Sequence, residues 1–181
     1  MKQFYPARKR NSHKGTYGAA NIIAGSGKYL GAAALAVSAA LKSGCGYVKL
    51  TTDGKVRQSL APVYPQVIFL DKEDLSANAI ALGMGCGVSE SLYAQIKCVL
   101  KQYKGTLLID ADGLNALSVY GLDILHEKSC SVILTPHVKE FSRLTGMAVG
   151  EILADPVNAA KSFSEKYGVT LLLKGEASII C

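Results

Sequence analysis

The sequence predicts an α/β protein, a three-layer α/β/α sandwich around a mostly parallel sheet. Short apolar runs alternate with amphipathic helical segments along the chain, and glycines or prolines separate them. Strands that are apolar throughout are typical of parallel sheets, which helices cover on both faces. The chain has 181 residues, of which 49% are hydrophobic. This is enough to bury a core, so we expect a single domain over residues 1–181.

The first elements predict a strand–helix–strand unit. An apolar run at residues 19–24 predicts a buried strand, and a helix of small residues is expected at 31–42, with Gly44 as its left-handed stop. Residues 46–51 predict the next strand. Because the connection between the two strands is short and helical, we expect a parallel pair with a right-handed crossover.

Further strands and helices follow in alternation. Ser89 is expected to cap one helix, and Asp155 with Pro156 begins another. Thr135 is expected to cap a third helix, with Pro136 at its first position. Short apolar runs predict the remaining strands, at residues 66–70, 79–82, 106–109, 132–134 and 169–173.

A glycine loop, Gly25-Ser26-Gly27, lies between the first strand and its helix. Glycines let the backbone come close to a ligand, and a helix start favours phosphate, so anion binding is one hypothesis. A tight turn with close helix–sheet packing explains the same glycines equally well. The spacing of Gly25, Gly27 and Gly31 matches neither the dinucleotide fingerprint nor a P-loop, so both interpretations stay open.

The charge of the chain is unevenly distributed. The net charge is +6, and the sequence up to Thr52 contains eight Lys or Arg residues and no acid. A basic amino-terminal third beside a glycine loop favours a phosphorylated small ligand. The run Arg8-Lys9-Arg10 has no aromatic residues interleaved with it, so we expect no nucleic-acid partner. A solvated basic tail explains this run more simply.

Five of the predicted strands end in a glycine or a polar residue. In an open α/β sheet, the carboxyl ends of parallel strands meet at one edge, and ligands bind there. A second glycine-rich loop, residues 83–87, follows one of these strands. The sequence therefore predicts a shared cleft at the strand ends marked by Gly25, Gly83, Asp110, Thr135 and Lys174.

Four polar residues at this edge each allow two interpretations. Asp110 and Asp112 can be a helix cap and a solvated acid, or they can bind Mg²⁺ or ligand hydroxyls. His137 can cap or pack against a helix, or it can contact a ligand. Lys174 can emerge into solvent, or it can hold a phosphate as a point charge. The residues alone leave these alternatives open.

Six segments occur in the order of a known family, at residues 12–18 (SHKGTYG), 30–46 (LGAAALAVSAALKSGCG), 83–87 (GMGCG), 109–117 (IDADGLNAL), 134–146 (LTPHVKEFSRLTG) and 172–180 (LLKGEASII). Together they resemble the ADP/ATP-dependent NAD(P)H-hydrate dehydratases over nearly the whole chain. The resemblance implies a ribokinase-like fold. It also implies repair of NADHX or NADPHX, in which a nucleotide phosphorylates the hydrate hydroxyl and phosphate then leaves.

The resemblance implies roles for individual residues. Ala32, Gly85 and His137 would line the hydrate pocket. Asp110 and Asp112 would lie near the phosphoryl-transfer centre, where Mg²⁺ assists the transfer from ADP or ATP. We assign no residue as a metal ligand. The adenine nucleotide would bind to the segment after the last predicted strand, formed by Lys174, Gly175, Glu176, Ala177 and Ser178.

Some positions depart from the family's pattern. Met84 and Cys86 replace the usual proline and leucine of the second glycine loop, and Ser178 replaces a threonine but keeps the hydroxyl. The family continues to a Gly-x-Gly-Asp segment that supplies the catalytic base, and no such segment occurs up to Cys181. We therefore assign no catalytic residue, interpret the chain as an incomplete, truncated domain, and expect no turnover without the remainder.

Two other functions are compatible with the sequence. One is a small-molecule kinase of the same superfamily, acting on a hydroxymethyl-pyrimidine or a sugar, and the other is a non-catalytic dinucleotide-binding or assembly module.

The five scattered cysteines favour free thiols. No apolar run is long enough to span a membrane, and residues 1–10 lack a signal-peptide core. We expect a cytoplasmic protein, and the resemblance implies a homo-oligomer.

Overall fold

An eight-stranded sheet forms the centre of the computed structural model, which describes residues 8–181. Its strands are Ala19–Ile23 (β1), Tyr47–Thr51 (β2), Ile68–Leu70 (β3), Ala79–Leu82 (β4), Thr106–Ile109 (β5), Ser131–Leu134 (β6), Thr170–Leu173 (β7) and Ile179–Ile180 (β8). Their spatial order is β3-β2-β1-β4-β5-β6-β7-β8. Neighbouring strands from β3 to β7 are parallel, and β8 is antiparallel to β7. The predicted mostly parallel sheet is confirmed.

Seven α-helices connect the strands in the described part of the chain. They are Leu30–Lys42 (α1), Gly54–Leu60 (α2), Glu90–Gln102 (α3), Asp112–Tyr120 (α4), Val138–Thr145 (α5), Val149–Ala154 (α6) and Pro156–Tyr167 (α7). Two short 3-10 turns, Lys14–Tyr17 and Asp123–Glu127, complete the elements.

Each face of the sheet has its own hydrophobic core. On one face, Ile22 and Leu50 pack with residues of α1 and α2. On the other face, Ile23 and Leu82 pack with residues of α3 to α7. Ile22 and Ile23 are neighbours in β1 but belong to different cores, because successive side chains of a strand point to opposite faces. Two cores on either side of one sheet confirm the three-layer sandwich.

Most predicted elements are confirmed to within two residues. Ser89 and Asp155 cap α3 and α7, because their side-chain oxygens accept backbone N–H groups of the first turn at 3.2 Å in both helices. Gly44 follows α1 with a φ of +89°, as expected for a left-handed stop. The helices α2 and α6 and the strand β8 were not predicted. They span seven, six and two residues, too few for a clear hydrophobic period.

The predicted start of α5 is wrong. The sequence places Thr135 at the cap and Pro136 at the first helical position, whereas the structure places His137 at the cap and starts the helix at Val138. The chain is still extended at Pro136, because its carbonyl accepts the N–H of Lys174 at 2.8 Å and so prolongs the pairing of β6 with β7. A helix cannot begin while the backbone still belongs to the sheet.

A polar network holds the loop between β3 and β4 against the sheet. Asn21 is fully buried, and its Oδ1 accepts the Asp74 N–H at 2.7 Å. Its Nδ2 donates to the Thr51 hydroxyl at 3.0 Å, and that hydroxyl donates to the Lys72 carbonyl at 3.2 Å. The Lys49 ammonium forms an ion pair with the Asp74 carboxylate. The network thus satisfies a buried amide and ties the loop to β1 and β2.

No helix within residues 8–181 is long and apolar enough to cross a membrane. The sequence predicts no signal-peptide core in residues 1–10. Residues 1–7 of this segment lie outside the part of the chain that the structure describes. All five cysteines are free thiols, as predicted, and Cys130 is buried.

Candidate functional site

The strand order reverses at β1, which lies between β2 and β4. The helix after β1 and the helix after β4 pack on opposite faces of the sheet. Such a reversal leaves a crevice at the carboxyl ends of the two strands, where open α/β sheets bind their ligands. Gly25 and Gly83 follow these two strand ends. The Gly25 N–H donates to the Met84 carbonyl at 2.8 Å, so the two glycine loops are in direct contact.

Close packing accounts for the first of these glycines. Gly25 has a φ of +83°, and a Cβ atom at this position would lie 2.8 Å from the Cβ of Ala33 in α1. A side chain would therefore push α1 away from β1. The packing interpretation of Gly25 is confirmed, whereas anion binding stays a prediction. Tyr29, the cap residue of α1, makes no side-chain hydrogen bond to the first turn.

The second glycine loop lies against the start of α1. A Cβ atom at Gly85 would lie 2.7 Å from the Cβ atoms of both Ala32 and Tyr29. The structure therefore brings together Ala32 and Gly85, two of the three residues that the family resemblance predicts in the hydrate pocket. Their role in binding stays a prediction.

The segment after β5 turns sharply between its two aspartates. Ala111 has a φ of +51° and is the one non-glycine residue with a positive φ in the described chain. It occupies the cap position of α4, so neither aspartate is the cap residue. Asp112 is the first residue of α4, and its Oδ2 accepts the Gly87 N–H at 2.8 Å. The acid predicted near the ligand is thus bonded to the second glycine loop.

Cys86 is partly buried in this loop, and its side chain contacts β1. Its Sγ donates to the Ile23 carbonyl at 3.4 Å. Burial raises the pKa of the Cys86 thiol from 9.0 to about 11, and the charge of the neighbouring Asp112 carboxylate adds to the increase. The thiol therefore stays protonated at neutral pH and acts as a weak hydrogen-bond donor within the fold.

Asp110 and Lys174 form an ion pair at the same edge of the sheet. The Lys174 ammonium lies 3.0 Å from Asp110 Oδ1. The Lys174 backbone pairs with His137 in an isolated parallel bridge, so the ends of β5, β6 and β7 meet here. Both side chains of the pair remain partly exposed. The Lys174 side chain is 40% exposed, so it reaches solvent as one sequence interpretation expects, and a carboxylate also pairs with its ammonium; phosphate binding stays a prediction.

His137 caps α5. Its Nδ1 accepts the backbone N–H groups of Lys139 and Glu140 at 3.1 Å and 3.2 Å, and the Glu140 carboxylate accepts the His137 N–H at 2.9 Å. This reciprocal arrangement is a capping box. The capping interpretation is therefore confirmed. About half of the imidazole surface remains exposed, and Nε2 lies 3.6 Å from Glu140 Oε1, so contact with a ligand stays a prediction.

The predicted nucleotide segment lies directly after β7. Gly175, Glu176, Ala177 and Ser178 form the exposed turn that leads from Lys174 into β8. All sequence-predicted site residues therefore lie at the carboxyl edge of the sheet. Hydrogen bonds link the first glycine loop to the second and the second to Asp112, and Lys174 contacts both Asp110 and His137.

Two features of this edge were not predicted from the sequence. The Arg143 guanidinium on α5 donates to the Asn115 side chain on α4 at 2.9 Å, next to the aspartate turn. A cavity of about 240 Å³ beside the glycine loops is lined by Gly25, Thr52 and Ser89, among others. Thr52 Oγ1 is buried and makes no hydrogen bond within residues 8–181. Both features depend on contacts between distant segments, which a local pattern does not indicate.

The acidic residues at this edge suit Mg²⁺ only in part. Asp110 and Asp112 are hard oxygen ligands, but the described chain contains no group of three or more His, Cys, Asp or Glu residues that could hold a metal ion. Mg²⁺ commonly binds through one or two carboxylates, with substrate phosphates and water completing the octahedron. The residues therefore fit a metal ion that arrives with a nucleotide.

The sequence profile described as NAD(P)H-hydrate dehydratase matches residues 20–181. The chain belongs to the NAD(P)H-hydrate dehydratase family. One member of the family is the bifunctional NAD(P)H-hydrate repair enzyme of Thermofilum pendens, which is 32% identical over 97% of this chain and 37% of its own length. Another is the ADP-dependent (S)-NAD(P)H-hydrate dehydratase of Neisseria meningitidis, also 32% identical, over 97% of this chain and 62% of its own.

A solved structure of the family has the same fold. The ADP/ATP-dependent NAD(P)H-hydrate dehydratase of Bacillus subtilis, co-crystallised with ATP and Mg²⁺, superposes with a TM-score of 0.85 at 32% identity. The match covers 97% of this chain and 64% of the Bacillus chain. The predicted family and fold are thereby confirmed. The chain spans less than two thirds of the length of these three relatives.

Proposed function

We propose that this chain forms the ligand cleft of a nucleotide-dependent dehydratase that returns NADHX or NADPHX to NADH or NADPH. One observation carries the proposal. The two glycine loops, at the point where the strand order reverses, share one edge of the sheet with the aspartate turn, the helix cap of His137 and Lys174. This is where a fold of this type binds ligands.

The cleft divides into two parts by chemistry. Ala32 and Gly85 present closely approaching backbone and little side-chain bulk, which suit the ring of the hydrated nicotinamide, and the half-exposed imidazole of His137 lies at the cleft edge. Lys174 and the turn that ends at Ser178 present a cation, free backbone groups and a hydroxyl, which suit the phosphates and ribose of ADP or ATP. Asp110 lies between them as the partner of Lys174.

The reaction transfers a phosphoryl group from the nucleotide to the C6 hydroxyl of the hydrate. Phosphate then leaves with the C–O bond electrons while the lone pair of the ring nitrogen forms a C=N bond, and loss of a proton from C5 restores the dihydropyridine. Bound Mg²⁺ would neutralise charge on the nucleotide phosphates. Lys174 would hold those phosphates, and the two loops would exclude water from the ring. No residue up to Cys181 is assigned as the base that takes the hydroxyl proton.

Activity is tested on the product of the complete reading frame that contains this sequence. NADHX is mixed with Mg²⁺ and either ADP or ATP, and NADH absorbance is followed together with free phosphate. We expect both signals to rise in equal amounts with at least one nucleotide. A stable phosphate ester without NADH would show a small-molecule kinase instead. Parallel reactions with NADPHX establish which hydrate is preferred.

Binding is tested on residues 1–181. Calorimetric titration with NADH and with ADP should show one site for each, and Lys174→Met should lose the ADP site alone. If neither NADH nor ADP binds, the result would favour a non-catalytic assembly module. We further propose that the protein is a cytoplasmic homo-oligomer, which light scattering and localisation of the tagged protein would test.

A further inference from the structure

The carboxylate of Asp112 is bonded within the protein and does not point freely into the cleft. Its Oδ2 accepts the N–H of Gly87, the last residue of the second glycine loop, at 2.8 Å. The unusual backbone at Ala111, with its φ of +51°, lies directly before Asp112 and turns the chain into α4 at this point. A bent backbone and a short hydrogen bond together fix where this carboxylate lies.

The same loop has its other attachments on β1. The Met84 carbonyl accepts the Gly25 N–H at 2.8 Å, and Cys86 Sγ donates to the Ile23 carbonyl at 3.4 Å. The loop is thus suspended between two supports, the end of β1 on one side and the start of α4 on the other. Asp112 provides the side-chain contact on the α4 side.

Gly85 lies between these supports and faces Ala32 at close range. Because a Cβ at Gly85 would come within 2.7 Å of the Ala32 Cβ, there is little space for the loop to move inward. Two residues further along the loop, the Gly87 N–H is held by the Asp112 carboxylate.

We propose that Asp112 is a positioning residue, whose carboxylate holds the second glycine loop through Gly87 and so sets Gly85 against Ala32. In this role it differs from Asp110, whose carboxylate faces the Lys174 ammonium. The link to hydrate binding rests on the proposed function, but the link to loop position does not. The sequence prediction that Asp112 contacts the ligand or its metal is the alternative that the experiment must exclude.

Loop position is measured through the thiol of Cys86. Wild-type protein, Asp112→Asn and Asp112→Ala are treated with iodoacetamide at about pH 8, and mass spectrometry gives the rate at Cys86 relative to Cys98 on α3. Asparagine keeps an oxygen acceptor and removes the charge, whereas alanine removes both. We expect Asp112→Ala to raise the Cys86 rate about tenfold, because the loop loses its second support. Asp112→Asn should raise it no more than about threefold, through the lost charge alone.

Two results would overturn the proposal. A Cys86 rate that is unchanged in Asp112→Ala would show that the loop does not depend on this residue. An equal increase in both variants would show that the charge acts on the thiol and that the hydrogen bond does not hold the loop. Circular dichroism checks that each variant folds. If the alanine variant does not fold, hydrogen exchange of the Gly87 amide in Asp112→Asn tests the proposal instead. That amide should stay as protected as in wild type, and its loss of protection would contradict the proposal.

The catalytic consequence is measured on the complete reading frame. With Asp112→Ala we expect the KM for NADHX to rise about tenfold, and asparagine should restore most of that loss. The Mg²⁺ concentration for half-maximal rate should be the same in both variants, whereas a metal ligand would shift it in both. If wild type does not turn over NADHX, the proposed function fails, and the thiol experiment still tests the role of Asp112.

Discussion

The ammonium of Lys174 and the carboxylate of Asp110 lie 3.0 Å apart, at the ends of β7 and β5, with β6 between them. Their side chains are 40% and 26% exposed. Ion pairs this exposed contribute only about 0.2–1 kcal/mol, because solvent screens them. The pair is therefore weak enough for a nucleotide phosphate to replace Asp110 as the partner of Lys174.

Asp110→Asn should strengthen ADP binding when Mg²⁺ is absent. The variant frees the Lys174 ammonium, so the phosphate no longer competes with a carboxylate, and we expect the Kd to fall by about two- to fivefold. Calorimetry with and without Mg²⁺ measures this effect. Asp123→Asn, in the 3-10 turn after α4, is the matched control and should leave the Kd unchanged. Weaker ADP binding by Asp110→Asn without Mg²⁺ would contradict the competition.

Substitution of His137 should separate its two roles. His137→Ala removes the cap of α5 and should lower the free energy of unfolding by about 1 kcal/mol, whereas His137→Asn offers another cap oxygen and should lower it by much less. Urea unfolding at neutral pH gives both values. If the imidazole also contacts the hydrate, both variants should weaken hydrate binding equally. Normal hydrate binding in His137→Asn would leave capping as the sole role.

Stability should depend on acid through Asp74. Hydrogen bonds from Lys49 and Ser76 lower the pKa of Asp74 from 3.8 to about 2. Because the folded-state pKa is the lower one, the contribution is complete above about pH 4 and is lost as the pH falls toward 2. Asp74→Asn should therefore destabilise the protein by about 1–2 kcal/mol at pH 7. Urea unfolding at several pH values should show the two proteins converging in acid, and a difference that persists at pH 2 would exclude this origin.

The sequence predicts the sheet and the polar residues at its carboxyl edge well, because both depend on local patterns. Apolar runs with polar or glycine ends identify β4 and β5 to the residue, and they place Asp110 and Lys174 at the same edge. The family resemblance predicts the ribokinase-like fold, which is confirmed, and the roles of individual residues, which remain to be tested. These predictions succeed because parallel strands necessarily bring their carboxyl ends together.

The sequence does not predict which polar groups bond to each other. Asp112 is 25 residues from Gly87 along the chain, and Asp110 is 64 residues from Lys174. The start of α5 was also missed, because the extended backbone of Pro136 depends on its hydrogen bond to Lys174 in the neighbouring strand. Contacts of this kind depend on register and helix placement, which no local pattern contains.

Ala111→Gly should stabilise the protein. An alanine with a φ of +51° is strained, and glycine adopts this backbone freely. We expect the free energy of unfolding to rise by about 1 kcal/mol. Ala39→Gly, on the exposed side of α1, is the control and should lower it by about 1 kcal/mol, because glycine weakens a helix interior. Urea unfolding compares the two, and destabilisation by both would show that Ala111 is not strained.

Cys86 should react slowly with alkylating reagents. Its pKa of about 11, two pH units above the ordinary 9.0, lowers the thiolate fraction at neutral pH by roughly 100-fold. Peptide mapping after iodoacetamide treatment should show little modification of Cys86 until the pH exceeds about 10. Rapid modification at pH 7 in folded protein would mean that the loop opens in solution.

The pairing of β1 with β4 joins Ala20 to Ala79, two segments that are far apart in the chain. Neither half of the sheet contains both glycine loops, so the cleft does not exist until this central pair has formed. Non-local strand pairing is a slow step of folding. The cleft is therefore completed late, and a nascent chain that has folded only β1 to β3 does not yet contain it.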